Sequence, residues 1–243
     1  MISYFANPHR FMKLSAWLTP WLYGLGGVMI AYSLWQGLWV VRPETYQGDS
    51  ARIMFIHVPA AWLSMAGYAG LAVSSFIWFI WRHELADMAA KAIAPIGAAY
   101  TAICLATGSI WGKPTWGTWW QWEDPRMTSV LVLFFLYLGY MAIRAAMDTR
   151  QKAARAAAIL AMVGVINVPI IKFSVDIWAS IHQTASVVRL DGPAMPAEYL
   201  VPLLVGALGH SFLLTALVFT GMRADVRGRK ADALVMRRLQ AAE

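Results

Sequence analysis

The residues of this 243-residue chain best suited to chemistry are its five histidines and a crowded set of tryptophans. Five of the 13 tryptophans (Trp111, Trp116, Trp119, Trp120 and Trp122) fall within twelve positions of the stretch WGKPTWGTWWQWEDPR, Trp111 to Arg126. Gly112, Pro114 and Gly117 interrupt it, and Glu123, Asp124 and Arg126 close it. The stretch is too polar and broken to cross a membrane and too aromatic for an ordinary loop. It offers flat, rigid, apolar surface. Two histidines stand near polar breaks between apolar runs, His57 in FIHVPAAW and His182 in FSVDIWASIHQ. A third, His210 in GALGHSF, lies midway along an apolar run. His9 and His83 sit beside basic residues and read as solvated surface.

Two imidazoles beside an aromatic platform suit haem. Its iron takes axial imidazole, and its wide ring needs apolar walls. Its propionates need cations, for which Arg126, Arg52, Lys113 and Arg189 are the candidates. Zinc suits the pattern less well, because it wants three or four ligands close together and gains nothing from indoles. The plain alternative for the tryptophans is an aromatic belt at the membrane interface. For His210 the alternatives are a functional group at mid-membrane or a neutral imidazole hydrogen-bonded to a neighbouring helix.

Other chemistries are excluded. The single cysteine, Cys104, permits no internal disulfide and no cysteine-based metal site, and reads as a small core residue. There is no CxxCH for covalent haem attachment. GSIWGKP (Gly108–Pro114) imitates a phosphate loop, but its first glycine is one residue too close and Pro114 stands where Ser or Thr would hold magnesium. No catalytic constellation stands out, so the chain reads as a binding or transfer protein and not an enzyme.

The elements that must position these groups follow from hydropathy. The chain is 59% hydrophobic and 14% charged, against about 25% charged for a soluble domain. Apolar runs near membrane-spanning length recur, predicting an all-α, six-helix polytopic membrane protein forming one integral domain over residues 1–243. The predicted spans are Trp17–Val41, Val58–Trp81, Lys91–Trp111, Met127–Met147, Ala153–Ile171 and Leu200–Met222. Pro59 suits a first helical turn, which places His57 at the mouth of the second span. If residues 173–183 are helical, Trp178 and His182 share a face, on an amphipathic helix at the interface.

Fourteen lysines and arginines flank one side of these spans and six the other. The positive-inside rule therefore makes both termini cytoplasmic. The tryptophan loop, His57 and His182 then share the outer side. The net charge of +7 clusters at the ends of apolar runs, which argues for lipid contact and against nucleic acid. The basic tail, 223–243, reads as a short segment at the anionic cytoplasmic surface.

WGKPTWGTWWQWEDPRMTS resembles the WWD signature of the haem-handling protein family. FIHVPAAW and VDIWASIHQ resemble the histidine segments of its short six-helix branch, the cytochrome c maturation C (CcmC) group. The resemblance spans nearly the whole chain. It implies haem b held non-covalently at the periplasmic face of a bacterial inner membrane, with His57 and His182 as axial iron ligands. The signature residues Trp111, Gly112, Trp116, Gly117, Trp119, Trp120, Trp122, Asp124 and Arg126 would complete the site. The implied partners are the haem chaperone CcmE, the ABC-transporter subunits CcmA and CcmB, and the small protein CcmD. The signature usually runs Trp–x–Trp–Asp–x–Arg, and WQWEDPR carries one extra residue. Aligning DPRMTS to its end makes Asp124 the signature acid, with Glu123 the alternative. A b-type cytochrome that keeps its haem for electron transfer, or a subunit of another small-molecule transporter, are the competing expectations.

Overall fold

The computed structural model describes residues 7–184, 186, 187, 189 and 191–241. Its elements, in order, are α1 (Pro8–Trp35, continued by a π-helical turn over Gln36–Val40), a 3₁₀ turn (Asp49–Ile53) leading into α2 (Met54–Trp81), α3 (Glu84–Trp116), α4 (Pro125–Ala146), α5 (Arg150–Gly164), α6 (Asn167–Ile177) and α7 (Ala197–Gln240). With α5 and α6, separated by two residues, forming one crossing, six helical segments among the described residues are long and apolar enough to span a bilayer. The chain is a multi-pass, all-helical membrane protein.

Helices α2, α3, α4 and α5 form the core bundle, and α7 packs against α2 and α3. Tyr68, Tyr137 and Tyr140 are fully buried there. Their hydroxyls need partners in so apolar a setting, and Tyr137 donates to the Ser64 carbonyl at 2.8 Å. Helix α1 lies almost wholly against α7, leaving Trp17, Trp21, Trp35 and Trp39 exposed. Because the crossings alternate, residues around 40–57, 111–126, 172–184 and 191–199 gather at one end of the bundle. Residues around 82–91, 144–152 and 223–230 gather at the other.

That second end carries a closed charge network. Asp87, only 4% exposed, accepts from Arg144 (Nη2 to Oδ2, 3.1 Å) and from Arg229 (Nη2 to Oδ2, 3.4 Å). Arg229 also pairs with Glu84 and with Asp225, which in turn takes Lys91 at 2.8 Å. The network ties the beginning of α3 and the end of α4 to α7.

Four local expectations are corrected. The second span starts earlier than Val58: α2 begins at Met54, so His57 lies inside its first turn and not at its mouth. The third span runs through Gly112 and Pro114 to Trp116, so the first half of the tryptophan stretch is helix. The fifth span is interrupted at Val165–Ile166 and continues to Ile177, where regular structure stops. Trp178 is extended and His182 is irregular, so the two do not share a helical face. The basic tail from residue 223 continues α7 as helix to Gln240. At 1.5 Å per residue the 44 residues of α7 reach about 66 Å, roughly twice the hydrocarbon thickness. Residues 242 and 243 of the predicted tail lie outside the described residues.

Candidate functional site

A cavity of about 310 Å³ opens at the end of the bundle that carries the tryptophans. His57 and His182 both line it, with Trp111, Trp116, Trp120 and Arg126. Met65, Val130 and Leu203 complete an apolar floor. Residues that are remote in sequence meet here because α2 starts, α3 ends and α4 starts at this level.

His57 is fixed by α3. Its Nδ1 lies 3.1 Å from the Thr107 hydroxyl. That hydroxyl donates its one proton to the Ile103 carbonyl at 2.6 Å, so the Thr107 oxygen accepts from His57 Nδ1–H. The ring proton is therefore on Nδ1, and Nε2 keeps its lone pair. Gly108 allows the close approach, since a Cβ there would stand 3.0 Å from His57 Cε1. Trp111 meets the imidazole edge-on, with centroids 5.7 Å apart, and is held in turn by Nε1 donation to Gln47 at 2.8 Å.

His182 is fixed by the end of the tryptophan stretch. Its Nδ1 is 3.2 Å from Asp124 Oδ1, which places a ring proton on Nδ1 here too. Asp124 is 2% exposed and serves several donors. It caps α4 by accepting from Met127 N at 2.9 Å, and takes Ser180 Oγ at 2.6 Å and Ile181 N at 3.0 Å. Burial opposes its charge, but the Ser180, Met127 and Ile181 donors and His182 hold the carboxyl below the usual range. Burial, with Arg126 nearby, lowers the His182 pKa, outweighing the pull of Asp124 in the other direction. His182 is thus held neutral at pH 7. Glu123 is exposed, and only Asp124 serves the imidazole.

The five tryptophans divide. Trp116 packs on His182 with centroids 4.8 Å apart. Trp120 faces the cavity, and its buried Nε1 has no hydrogen-bond partner. Trp119 and Trp122 are 56% and 68% exposed and do not line the cavity. Gly117 ends α3 in the left-handed region (φ 79°), which favours glycine and turns the chain back toward the site. Gly112 is buried under the Trp116 ring and does not face the cavity.

Of the four candidate cations only Arg126 reaches the cavity. It sits in the first turn of α4, where the helix dipole disfavours positive charge. Its hydrogen bonds among the described residues go to neutral acceptors, Ser174 Oγ at 3.4 Å and the Lys172 carbonyl at 3.5 Å. Arg52 pairs with Asp49, Lys113 donates to the Gly117 carbonyl, and Arg189 pairs with Asp191. His210 is outside the cavity, its Nδ1 3.2 Å from the Tyr100 hydroxyl of α3, the neutral-imidazole alternative. His83 is only partly exposed and has a buried Nδ1 without a partner, so it is not simple solvated surface. Among the described residues no three His, Cys, Asp or Glu side chains converge on a metal-ion site.

The family model described as heme exporter protein C (CcmC) matches residues 1–237. The chain belongs to the CcmC family. It is 49% identical to heme exporter protein C of Bradyrhizobium diazoefficiens over 232 residues, covering 95% of this chain and 87% of the relative. The protein of that name from Escherichia coli is 44% identical over 220 residues (90% and 86%), and that from Paracoccus denitrificans 40% identical over 236 residues (96% of each). Within this CcmC-family chain, Thr107, Ser180 and Gln47 are the residues that sequence reasoning missed. Thr107 is 50 positions from the histidine it supports, and no spacing rule joins them.

Proposed function

We propose that this chain binds haem b non-covalently in the cavity and hands it on for cytochrome c biogenesis. His57 and His182 bind the iron axially through Nε2, Trp111, Trp116 and Trp120 wall the ring, and Arg126 takes a propionate. The observation that carries this reading is the pairing of two imidazoles, each with Nδ1 occupied, on one cavity with indole walls. Three further features support the fit. Trp120 Nε1 is a buried donor without a partner, Arg126 is a cation offered only neutral acceptors among its hydrogen bonds, and the relatives are named heme exporter protein C. The cargo supplies the iron and the propionates; the chain binds, orients and shields.

The site lies at the edge of the bundle and not between helix centres, which suits hand-over better than retained electron transfer. The chain acts as a carrier and not a catalyst. It delivers haem to the periplasmic chaperone CcmE, beside CcmA, CcmB and CcmD, in the bacterial inner membrane with both termini cytoplasmic.

Absorption spectra of the purified protein test the ligation. His57→Ala or His182→Ala converts a six-coordinate spectrum to a five-coordinate one, and added imidazole partly restores it. Two unchanged spectra would refute the assignment. Orientation is tested by cysteines introduced at Gly117 and Gln151 in a Cys104→Ser background. A membrane-impermeant thiol reagent labels them from opposite sides, with Gly117 outside; same-side labelling rules out the topology.

A further inference from the structure

The two imidazoles are supported by different chemistry. The Nδ1–H of His57 meets only neutral acceptors, the Thr107 hydroxyl, whose own proton is committed to the Ile103 carbonyl, and the Cys104 carbonyl. The Nδ1 of His182 meets the buried carboxylate of Asp124. That carboxylate is fixed in place by three donors from two chain segments, Met127 N, Ser180 Oγ and Ile181 N. Ser180 Oγ also lies 3.5 Å from His182 Nδ1, and its proton points to Asp124 Oδ2 at 2.6 Å.

A carboxylate acceptor draws the Nδ1 proton away from the ring and makes Nε2 a stronger donor to iron. Neutral acceptors such as a hydroxyl or a backbone carbonyl do this far less. We propose that Asp124 is a positioning residue that makes His182 the strong, retained ligand of the bound iron porphyrin, while Thr107 leaves His57 the weak ligand that is given up first on hand-over. This rests on the bis-histidine reading above. The asymmetry has a use in a carrier: two equally strong axial bonds hold the cargo too well to pass it on, whereas one weak bond opens a coordination position to an incoming ligand while the other keeps the cargo from leaving. The same carboxylate starts α4 and anchors the segment after α6. Removing its charge therefore weakens the ligand without moving the histidine, provided the cap is kept.

Asparagine keeps it, because Asn caps a helix about as well as Asp. Ferric haem is titrated into the purified full-length chain and its Asp124→Asn, Thr107→Val, His57→Gly and His182→Gly variants, and the reduction potential of the bound haem is measured. Loss of an outer partner of a metal ligand typically costs ten- to a hundredfold in affinity. Asp124→Asn falls in that range and raises the potential, because a weaker donor stabilises ferric iron less. Thr107→Val costs severalfold at most. His182→Gly loses more affinity than His57→Gly, and Asp124→Asn added to His182→Gly loses nothing further.

A factor for Asp124→Asn that is the same with and without His182, an unmoved potential, or a greater loss from His57→Gly each overturns the proposal. If Asp124→Asn does not accumulate folded, Asp124→Ser, which keeps a capping oxygen and removes the carboxylate, carries the same test with a shift of the same sign, and no shift there overturns it equally. Failure of the bis-histidine reading looks different: neither glycine variant then changes the spectrum of bound haem.

Discussion

The two ends of the helical bundle treat polar groups in opposite ways. At the end without the cavity, Asp87, Arg144, Arg229, Glu84, Asp225 and Lys91 neutralise one another. At the cavity end, among the described residues, both histidines present one ring nitrogen to protein and leave the other without a hydrogen bond, Arg126 has only neutral hydrogen-bond acceptors, and Trp120 Nε1 has none. The first arrangement is a clamp, complete in itself. The second is complete only when something enters. The difference teaches where to look for function in a chain this apolar: buried polar groups are expensive in both places, and although His83 Nδ1 and Arg223 Nε beside the clamp also lack partners, only at the cavity end do two imidazoles, a cation and an indole donor face one space.

The comparison breaks most visibly at Asp87. Removing one partner of a buried ion cluster strands the others and costs about 3–5 kcal/mol. Asp87→Ala leaves Arg144 and Arg229 facing each other across the lost carboxylate and should lower the midpoint of thermal unfolding strongly. Haem bound per folded molecule should not change, because no clamp residue touches the cavity. A loss of haem in proportion to the loss of clamp residues would show the two ends to be coupled.

The tryptophans sharpen the same contrast within one loop. Face contact with an indole is worth about 0.5–1.5 kcal/mol beyond burial, and about 1.4 kcal/mol is tenfold. Trp111→Ala with Trp120→Ala should therefore weaken haem binding by roughly ten- to a hundredfold. Trp119→Ala with Trp122→Ala, which strips two exposed rings, should leave haem per molecule unchanged and lower the amount held in the membrane. Equal haem content in the two double variants would make the stretch an anchor only.

Why the sequence could not divide these rings is a matter of backbone geometry. Hydropathy makes the six crossings legible, because each must match the bilayer. The clustering of indoles and the parity of the histidines were legible as well. Local detail was not. Gly112 and Pro114 read as breakers, yet α3 carries both and stops only at Gly117, so which of Trp116, Trp119 and Trp120 turn inward depends on a helix end that composition hides. The run from Phe173 has helical periodicity, but helix stops at Ile177. Asp124 then collects the Ser180 hydroxyl and the Ile181 amide, a tertiary demand that outweighs local propensity. The choice between Glu123 and Asp124 is of the same kind: both are acids in the same loop, and only burial under an imidazole separates them.

The smallest expected effect is one of pH, and it tests whether the cavity end holds His182 neutral. Its folded-state pKa is lowered, chiefly by burial, from an unfolded value of about 6.5. Between those two values the unfolded chain binds more protons than the folded one, so stability rises with pH across that window. The contribution of a neutral, buried His182 is complete above about pH 6.5 and is lost as pH falls toward the folded value. Asp124, also lowered, carries the same sign but acts only at and below the usual carboxylate range near pH 4, so the two windows separate. The haem-free protein should lose thermal stability on going from pH 7.5 to pH 5, and His182→Gln should lose less over the same interval. The charge clamp contains no histidine. If His182→Gln reproduces the full pH dependence, the imidazole is not held neutral by the cavity, and the bare Nε2 that ligation requires would have to be sought elsewhere.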